Sequence, residues 1–391
     1  MAYLEEAFCL IRNGASIKQF DGASGLPITR IETIADKTVN RAKMGFANII
    51  DDGQYDDYLL QDGDILMSHI NSEKHLGKVA LYHKENNEKI IHGMNLLVLR
   101  PNTKILSLFA YYYFSSQKFK NQIINITKKS VNQASFTVTA LKKLAIELPD
   151  INKQKLISRV LSKIDSAIKL HEKQLTDLDL LVKSRFIEMF GDPLKNERHW
   201  EIDTLENLVT DDCSISYGIV QTGEPQENGI PVFRPVDIVG HNPTIEELKK
   251  TTVSISNKYR RTILTGRDLL ITVRANIADT FIANKEFKGC NVGRGIVPLR
   301  VNENVIKLEF LKAMIDFDSI NQYIKSKAKG ITLIQLNMVD LRLIPFILPP
   351  VELQIEFIKF LQQVDKSKLV VQQSLNELET LKKSLMQQYF G

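Results

Sequence analysis

His69, Asn71, Lys74 and Lys78 lie within ten residues of one another, and Arg274 with Asn276 forms a shorter stretch of the same kind. Lys128, Lys129, Asn132 and Gln133 make a second group, matched by Lys327, Lys329, Thr332 and Gln335. Gln221 and Thr222 sit in a polar loop, Gly218-Ile-Val-Gln-Thr-Gly223, whose glycines permit close backbone approach. The Lys- and Arg-bearing groups mix cations, which hold phosphates, with Arg, Asn or Gln, whose hydrogen bonds distinguish base edges, and the Gln221 loop offers an amide side chain without a cation. That combination makes them candidates for nucleic-acid contact. The alternative for each is a solvated surface loop. Arg30 and Arg234, on matching apolar stretches, suit a carboxylate partner as well as a phosphate.

Residues that could make or break bonds do not complete a motif. Gly218 to Gly223 is followed by Glu224-Pro225, so the lysine of a phosphate-binding loop is missing. His241-Asn242-Pro243-Thr244 lacks the second proline and the aromatic of an adenine amino-methylation motif. Gly293-Arg-Gly295 has too few glycines for a dinucleotide loop and reads as a turn. His69, His75, His83 and His92 are six, eight and nine residues apart, which fits no metal-ligand template. Asp62-Gly63-Asp64 reads as a turn feeding the strand Ile65-Leu-Met, because the second half of the chain has no such acidic pair. Neither a cofactor nor a metal is expected in this chain.

Bulk properties fit this picture. The 391 residues suggest two or three domains, and 43% hydrophobic with 25% charged residues is ordinary globular composition. Net charge is only +5, and Lys plus Arg balance Asp plus Glu at 18 to 16 in residues 1–150 and 18 to 18 in residues 200–350. Charge totals alone therefore do not announce nucleic acid. No apolar run reaches the ~20 residues of a membrane span. The start MAYLEEAFCLIRNG lacks the pattern of a signal peptide. Cys9, Cys213 and Cys290 are far apart, which suits a reducing cytoplasm.

The elements that must position the loops are announced by a repeat. Residues 148–191 align with 348–391 at a shift of 200 without a gap, with twelve identities in 44 positions. LPDINKQ becomes LPPVELQ, and Asp165, Leu175, Leu178, Leu181, Lys183, Ser184, Phe190 and Gly191 recur 200 residues on. Residues 151–190 contain no Gly or Pro, and Ile157, Leu161, Ile164, Ile168, Leu175, Leu178, Val182 and Met189 form an apolar stripe. Phe357, Leu361, Val364, Val371, Leu375, Leu378, Leu385 and Tyr389 form the second stripe. His171 and Arg185 interrupt the first, Lys368 and Lys382 the second. A sustained step of three and four predicts two long helices, each about 58 Å at ~1.5 Å per residue, with a seam for another helix. A generic dimerising coiled coil is the alternative, but two matched helices in one chain favour an intramolecular pair.

Residues 1–147 and 200–347 are related more weakly, at shifts of 200 to 204. Gly25-Leu-Pro-Ile-Thr-Arg30 parallels Gly229-Ile-Pro-Val-Phe-Arg234, and Asp64-Ile-Leu-Met parallels Asp268-Leu-Leu-Ile. Each segment opens with short β-type runs and reaches a helical stretch, about 105–125 and 306–327. The expected class is α+β: two globular α/β domains joined by two long helices packed as an antiparallel coiled coil, with an approximate two-fold axis.

The segment LPDINKQKLISRVLSKIDSAIKLHEKQLTDLDLLVKSRFIEMFGDP closely resembles the conserved helical region of type I restriction–modification specificity subunits. DGDILMSHINSEKHLGKVALY and GRDLLITVRANIADTFIA resemble the strand–loop–strand of that family's target recognition domains. The second helical copy keeps the Leu-Pro-Pro start and replaces most of the ending. The resemblance implies target recognition domains at 1–147 and 194–347 and spacer helices at 148–193 and 348–391. It implies a non-catalytic subunit that reads a bipartite, asymmetric double-stranded DNA site, one half per domain. Its partners would be two adenine methyltransferase subunits and, through them, ATP-driven restriction subunits. S-adenosylmethionine, ATP and Mg would belong to those partners. Two alternatives stay open: a scaffold for two partner proteins that does not touch DNA, and an orphan specificity subunit of another modification system.

Overall fold

The computed structural model describes residues 1–19, 24–34, 38–129, 133–224, 226–238, 243–330 and 334–391. The chain divides into two units, Met1–Lys173 with Gln372–Gly391, and Gln174–Val371. Two 40-residue helices, Ile151–Phe190 and Val351–Phe390, match the predicted rods, and the division falls inside both. Each unit thus takes part of each helix.

Unit one is built on a four-stranded antiparallel sheet in the order Phe8–Asn13, Leu96–Pro101, Ile65–Ser68, Val79–Leu81. Side chains alternate across it. Ile65, Met67, Leu97 and Leu99 face one core, and Leu66, Ala80, Leu96 and Val98 face another. Both faces are covered, so the strands read as unbroken apolar runs rather than as alternation. Unit two repeats this with Thr280–Ala283, Asp268–Thr272 and Ile296–Leu299. There Leu269, Ile271, Val297 and Leu299 enter the larger core, and Leu270 and Ile296 the smaller.

Each globule is closed by pairing its first and last strands: Ala2–Tyr3 with Ala145–Ile146, and Glu201–Thr204 with Pro345–Leu348. The helical stretches expected near 105–125 and 306–327 are each broken in two. In the first, Ser116 caps the second piece, its side chain accepting from Phe119 N at 3.2 Å. In the second, extended Phe317 separates Leu308–Asp316 from Asp318–Ser326.

The two halves share an internal frame at the level of single atoms. Gln154 Nε2 donates to the carbonyls of Lys104 and Pro149, and its Oε1 accepts from Leu106 N. Gln354 does the same with Val305, Pro349 and Lys307. Ala15 N donates to His92 O at 2.7 Å, and Ile219 N donates to Val292 O at 2.8 Å. The preceding residues, Gly14 and Gly218, must be glycine: a Cβ there would lie 2.2 and 2.0 Å from the same carbonyl oxygens.

The long helices run antiparallel within each unit. In unit one Asp165 pairs with Lys382 and His171 faces Ser374 at 3.3 Å. In unit two Asp179 pairs with Lys368 at 2.5 Å and Arg185 with Glu356 at 2.9 Å. The four polar interruptions of the apolar stripes are therefore contacts to the facing helix. Both helices end inside a globule: Phe390 packs on Phe109 with centroids 5.4 Å apart, and Phe190 on Phe310 at 4.9 Å.

Candidate nucleic-acid interface

A buried ion pair sets the base of each strand–loop–strand. Asp64 is fully buried, and Arg100 donates to its two oxygens at 2.8 Å from Nε and from Nη2. Asp268 is also fully buried and accepts from Arg300 Nε at 2.7 Å, from Thr265 N at 2.6 Å and from Gly266 N at 3.0 Å. Asp64 is thus a framework carboxylate, and Gly63 before it is left-handed at φ 84°. Arg234 resolves toward a carboxylate: it pairs with Asp237 at 2.5 Å.

In unit one the first two candidate groups meet. Ile70–Asn71, Ala134–Ser135 and Lys128–Lys129 form one small sheet, with Ala134 between Asn71 and Lys129. The loop after Ser68 is fixed locally. Ser68 Oγ donates to His75 O at 2.5 Å, and Ser72 N donates to Asn71 Oδ1 at 2.7 Å. Lys74, Lys128, Lys129 and Gln133 are exposed, and Lys78 is half-buried. Lys129 lies 2.7 Å from Glu73, so part of its charge is spent inside the loop. His69 is only 4% exposed and packs edge-on to Phe136 at 6.4 Å, and burial lowers its pKa. Asn132 lies outside the described residues.

In unit two the counterparts also meet. Arg274 and Lys329 each bridge to Gln335, and Arg274 Nη2 donates to Gln335 Oε1 at 2.5 Å. The guanidinium stands 5.9 Å from the Tyr217 ring centroid, while its buried Nε has no hydrogen-bond partner among the described residues. Asn276 is exposed between two left-handed alanines, Ala275 at φ 61° and Ala278 at φ 68°. Holding a Cβ-bearing residue there costs about 1–2 kcal/mol. Thr272 Oγ1 holds the turn by donating to Asn276 O and accepting from Asp279 N. Lys327 lies 4.7 Å from the Tyr323 ring, and Lys329 is 3.7 Å from Asp340. Gln221 and Thr222 belong to a different edge, tied by Thr251 Oγ1 donating to Thr222 O at 2.6 Å. Thr332 lies outside the described residues.

The four histidines do not converge. His92 is buried with Nε2 2.9 Å from Leu96 O, and His83 is exposed 3.7 Å from Asp62. Among the described residues no group of three or more His, Cys, Asp or Glu could hold a metal ion. No helix among them is long and apolar enough to cross a membrane.

The sequence reading missed one basic group. Lys258, Tyr259, Arg260 and Arg261 line a cleft of about 590 Å³ together with Ser216 and Tyr217, whose ring centroid stands 5.9 Å from the Arg274 guanidinium. Three cations with an interleaved tyrosine were the available signal; summing charge over 150 residues hid it.

Comparison with known proteins gives a consistent result. The sequence model described as the type I restriction modification DNA specificity domain matches twice, at residues 6–179 and 219–380. A protein of Methanocaldococcus jannaschii, assigned as the specificity subunit of the type I restriction enzyme MjaX, is 32% identical over 98% of this chain and 90% of its own length. The EcoBI specificity subunit of Escherichia coli is 20% identical over 68% of this chain and 62% of its own. The fold is similar to the S subunit of a type I restriction–modification system from M. genitalium, with TM-score 0.58 at 15% identity, covering 100% of this chain and 95% of that one. It is also similar to a chain from a study of complex assembly and conformational transition in the type I R-M system, with TM-score 0.61 at 18% identity, covering 100% and 96%.

Proposed function

Because the chain belongs to the specificity subunits of type I restriction–modification systems, the non-catalytic DNA-recognition components of those enzymes, we propose that its two globules read the two halves of a bipartite, asymmetric DNA site. The observation that carries this is one frame with two sets of loops. The Asp–Arg pairs, the Gln154 and Gln354 hydrogen bonds and the Phe190 and Phe390 anchors are equivalent. The loops on that frame differ: Asn71, Lys74 and Lys78 in one, with His69 buried beneath them, and Arg274 and Asn276 in the other. Equal frames with unequal reading groups suit two different half-sites. In unit two Arg274, backed by Gln335 and Tyr217, is the side chain best formed for a guanine edge.

The long helices would dock two adenine methyltransferase subunits, and restriction subunits through them. Support comes from exposed apolar side chains at matched positions of the repeat: Leu170 with Val370 at 56% and 64%, and Leu181 with Leu381 at 47% and 48%. S-adenosylmethionine, ATP and Mg chemistry would then reside in the partners. Neither globule carries a large net charge, so the chain alone should hold DNA weakly. Electrophoretic shifts at fixed salt, with and without the methyltransferase, test this: sequence discrimination should appear only in the assembled complex. Tight, specific binding by the chain alone would contradict it.

A further inference from the structure

The cleft beside Arg274 has a feature that its counterpart in globule one inverts. Lys258, Arg260 and Arg261 are exposed and make no ion pair among the described residues. Their backbone is nonetheless tied down by hydrogen bonds. Tyr259 N donates to Ser256 O, and Thr262 N to Tyr259 O. Below them Thr262 Oγ1 donates to the fully buried Asn291 at 2.7 Å, and Asn291 Nδ2 donates to Ser256 Oγ at 3.1 Å. A hydrogen-bonded turn presenting three cations without ion pairs among the described residues, in a cleft whose lining holds no acidic residue, is a preorganised anion site.

The equivalent turn of globule one can be located without ambiguity. Arg100 Nη2 donates to Leu59 O and Arg300 Nη2 to Ile263 O, both at 3.2 Å. One residue on, Leu60 N donates to Ile90 O and Leu264 N to Cys290 O. Counting back, the single-turn helices Asp56–Tyr58 and Arg260–Thr262 coincide. Asp56 and Asp57 stand where Arg260 and Arg261 stand. Residues 51–62 hold five aspartates and neither Lys nor Arg. Arg12 reaches this turn, but its guanidinium stacks 3.9 Å from the Tyr58 centroid and donates to Asp57 O.

We propose that Lys258, Arg260 and Arg261 form a phosphate clamp on the DNA backbone beside Arg274, present in globule two and replaced by an acidic turn in globule one. The two globules then hold DNA by different means. The second supplies a salt-sensitive, sequence-independent grip; the first lacks that grip at the matching turn. This rests on the reading that the globules bind DNA.

The test uses the chain assembled with its methyltransferase subunits, and two duplexes, one with the methylated site and one without. Each phosphate contact contributes about 0.9 to the slope of log affinity against log salt. Changing Lys258→Gln, Arg260→Gln and Arg261→Gln together should flatten that slope by two to three on both duplexes. The wild-type advantage should therefore shrink about forty-fold between 50 and 200 mM salt. The methylated sequence should not change. Arg260→Lys with Arg261→Lys, which keeps the charge, should keep the slope and so separates the clamp from a folding defect. An unchanged slope in the triple variant overturns the clamp. Loss of methyltransferase co-purification overturns it too, by making the patch a protein-docking face. If wild type fails to distinguish the two duplexes, the half-site reading fails, while the slope still decides the clamp.

Discussion

His92 is 1% exposed, with Nε2 against Leu96 O and Nδ1 without a hydrogen-bond partner among the described residues. Burial disfavours its cation and lowers its pKa to about 4, from the ordinary 6.5 that the unfolded chain retains. Between those values the unfolded chain binds a proton that the folded one refuses. Stability is therefore fully present above pH 6.5 and is lost as pH falls toward 4. The difference is worth at most about 3 kcal/mol. Glu88 acts in a lower window. A hydrogen bond from Arg41 depresses its pKa to about 2, so its contribution is present above about 4.5 and lost as pH falls toward 2. Thermal melts of wild type and His92→Gln from pH 7 to 4 separate the two groups. The variant should lose less stability across this range, and parallel curves would sink the assignment to His92.

At the scale of elements, the ends of the long helices are structural anchors. Phe186 and Phe190 pack on Phe310 and Phe357 in unit two, while Phe390 packs on Phe109 and Tyr113 in unit one. Phe190→Ala and Phe390→Ala should each cost about 3–5 kcal/mol. Amide exchange should localise the damage: faster exchange in residues 174–371 for the first, and in 1–173 for the second. Damage in the opposite unit would contradict the assignment of helix ends to globules. The helices themselves were legible because an apolar step of three and four persists for 40 residues, and every residue of both predicted stripes is buried or half-buried. Less was legible in the globules. Asp64 and Arg100 are 36 residues apart, and no local pattern couples them. Strands two residues long, such as Lys128–Lys129, carry no periodicity, so the meeting of the Asn71 and Lys129 loops emerged only from tertiary pairing. The Lys258 to Arg261 group was visible as residues but invisible as a site, because its meaning depends on Tyr217 and on the aspartates that replace it in the other globule.

At the scale of the whole molecule, the duplication predicts exchangeable reading modules. Globule two leaves and re-enters the frame at one place, where Glu201 pairs with Leu348, as Ala2 pairs with Ile146 in globule one. Cutting at this pair keeps both long helices intact, including Trp200 Nε1 donating to Phe190 O at 3.0 Å. The graft must fill the space against Phe186, Phe190 and Phe357 with apolar side chains, or the core will be left with cavities. Exchange of residues 201–348 for the matching segment of another specificity subunit should then preserve folding and methyltransferase assembly. Genome-wide mapping of methylated adenines should show one half of the site replaced and the other half, with the spacer between them, unchanged. A change in both halves would mean that sequence reading is shared between globules. A changed spacer with constant halves would mean that the globule, and not the helices, sets the distance.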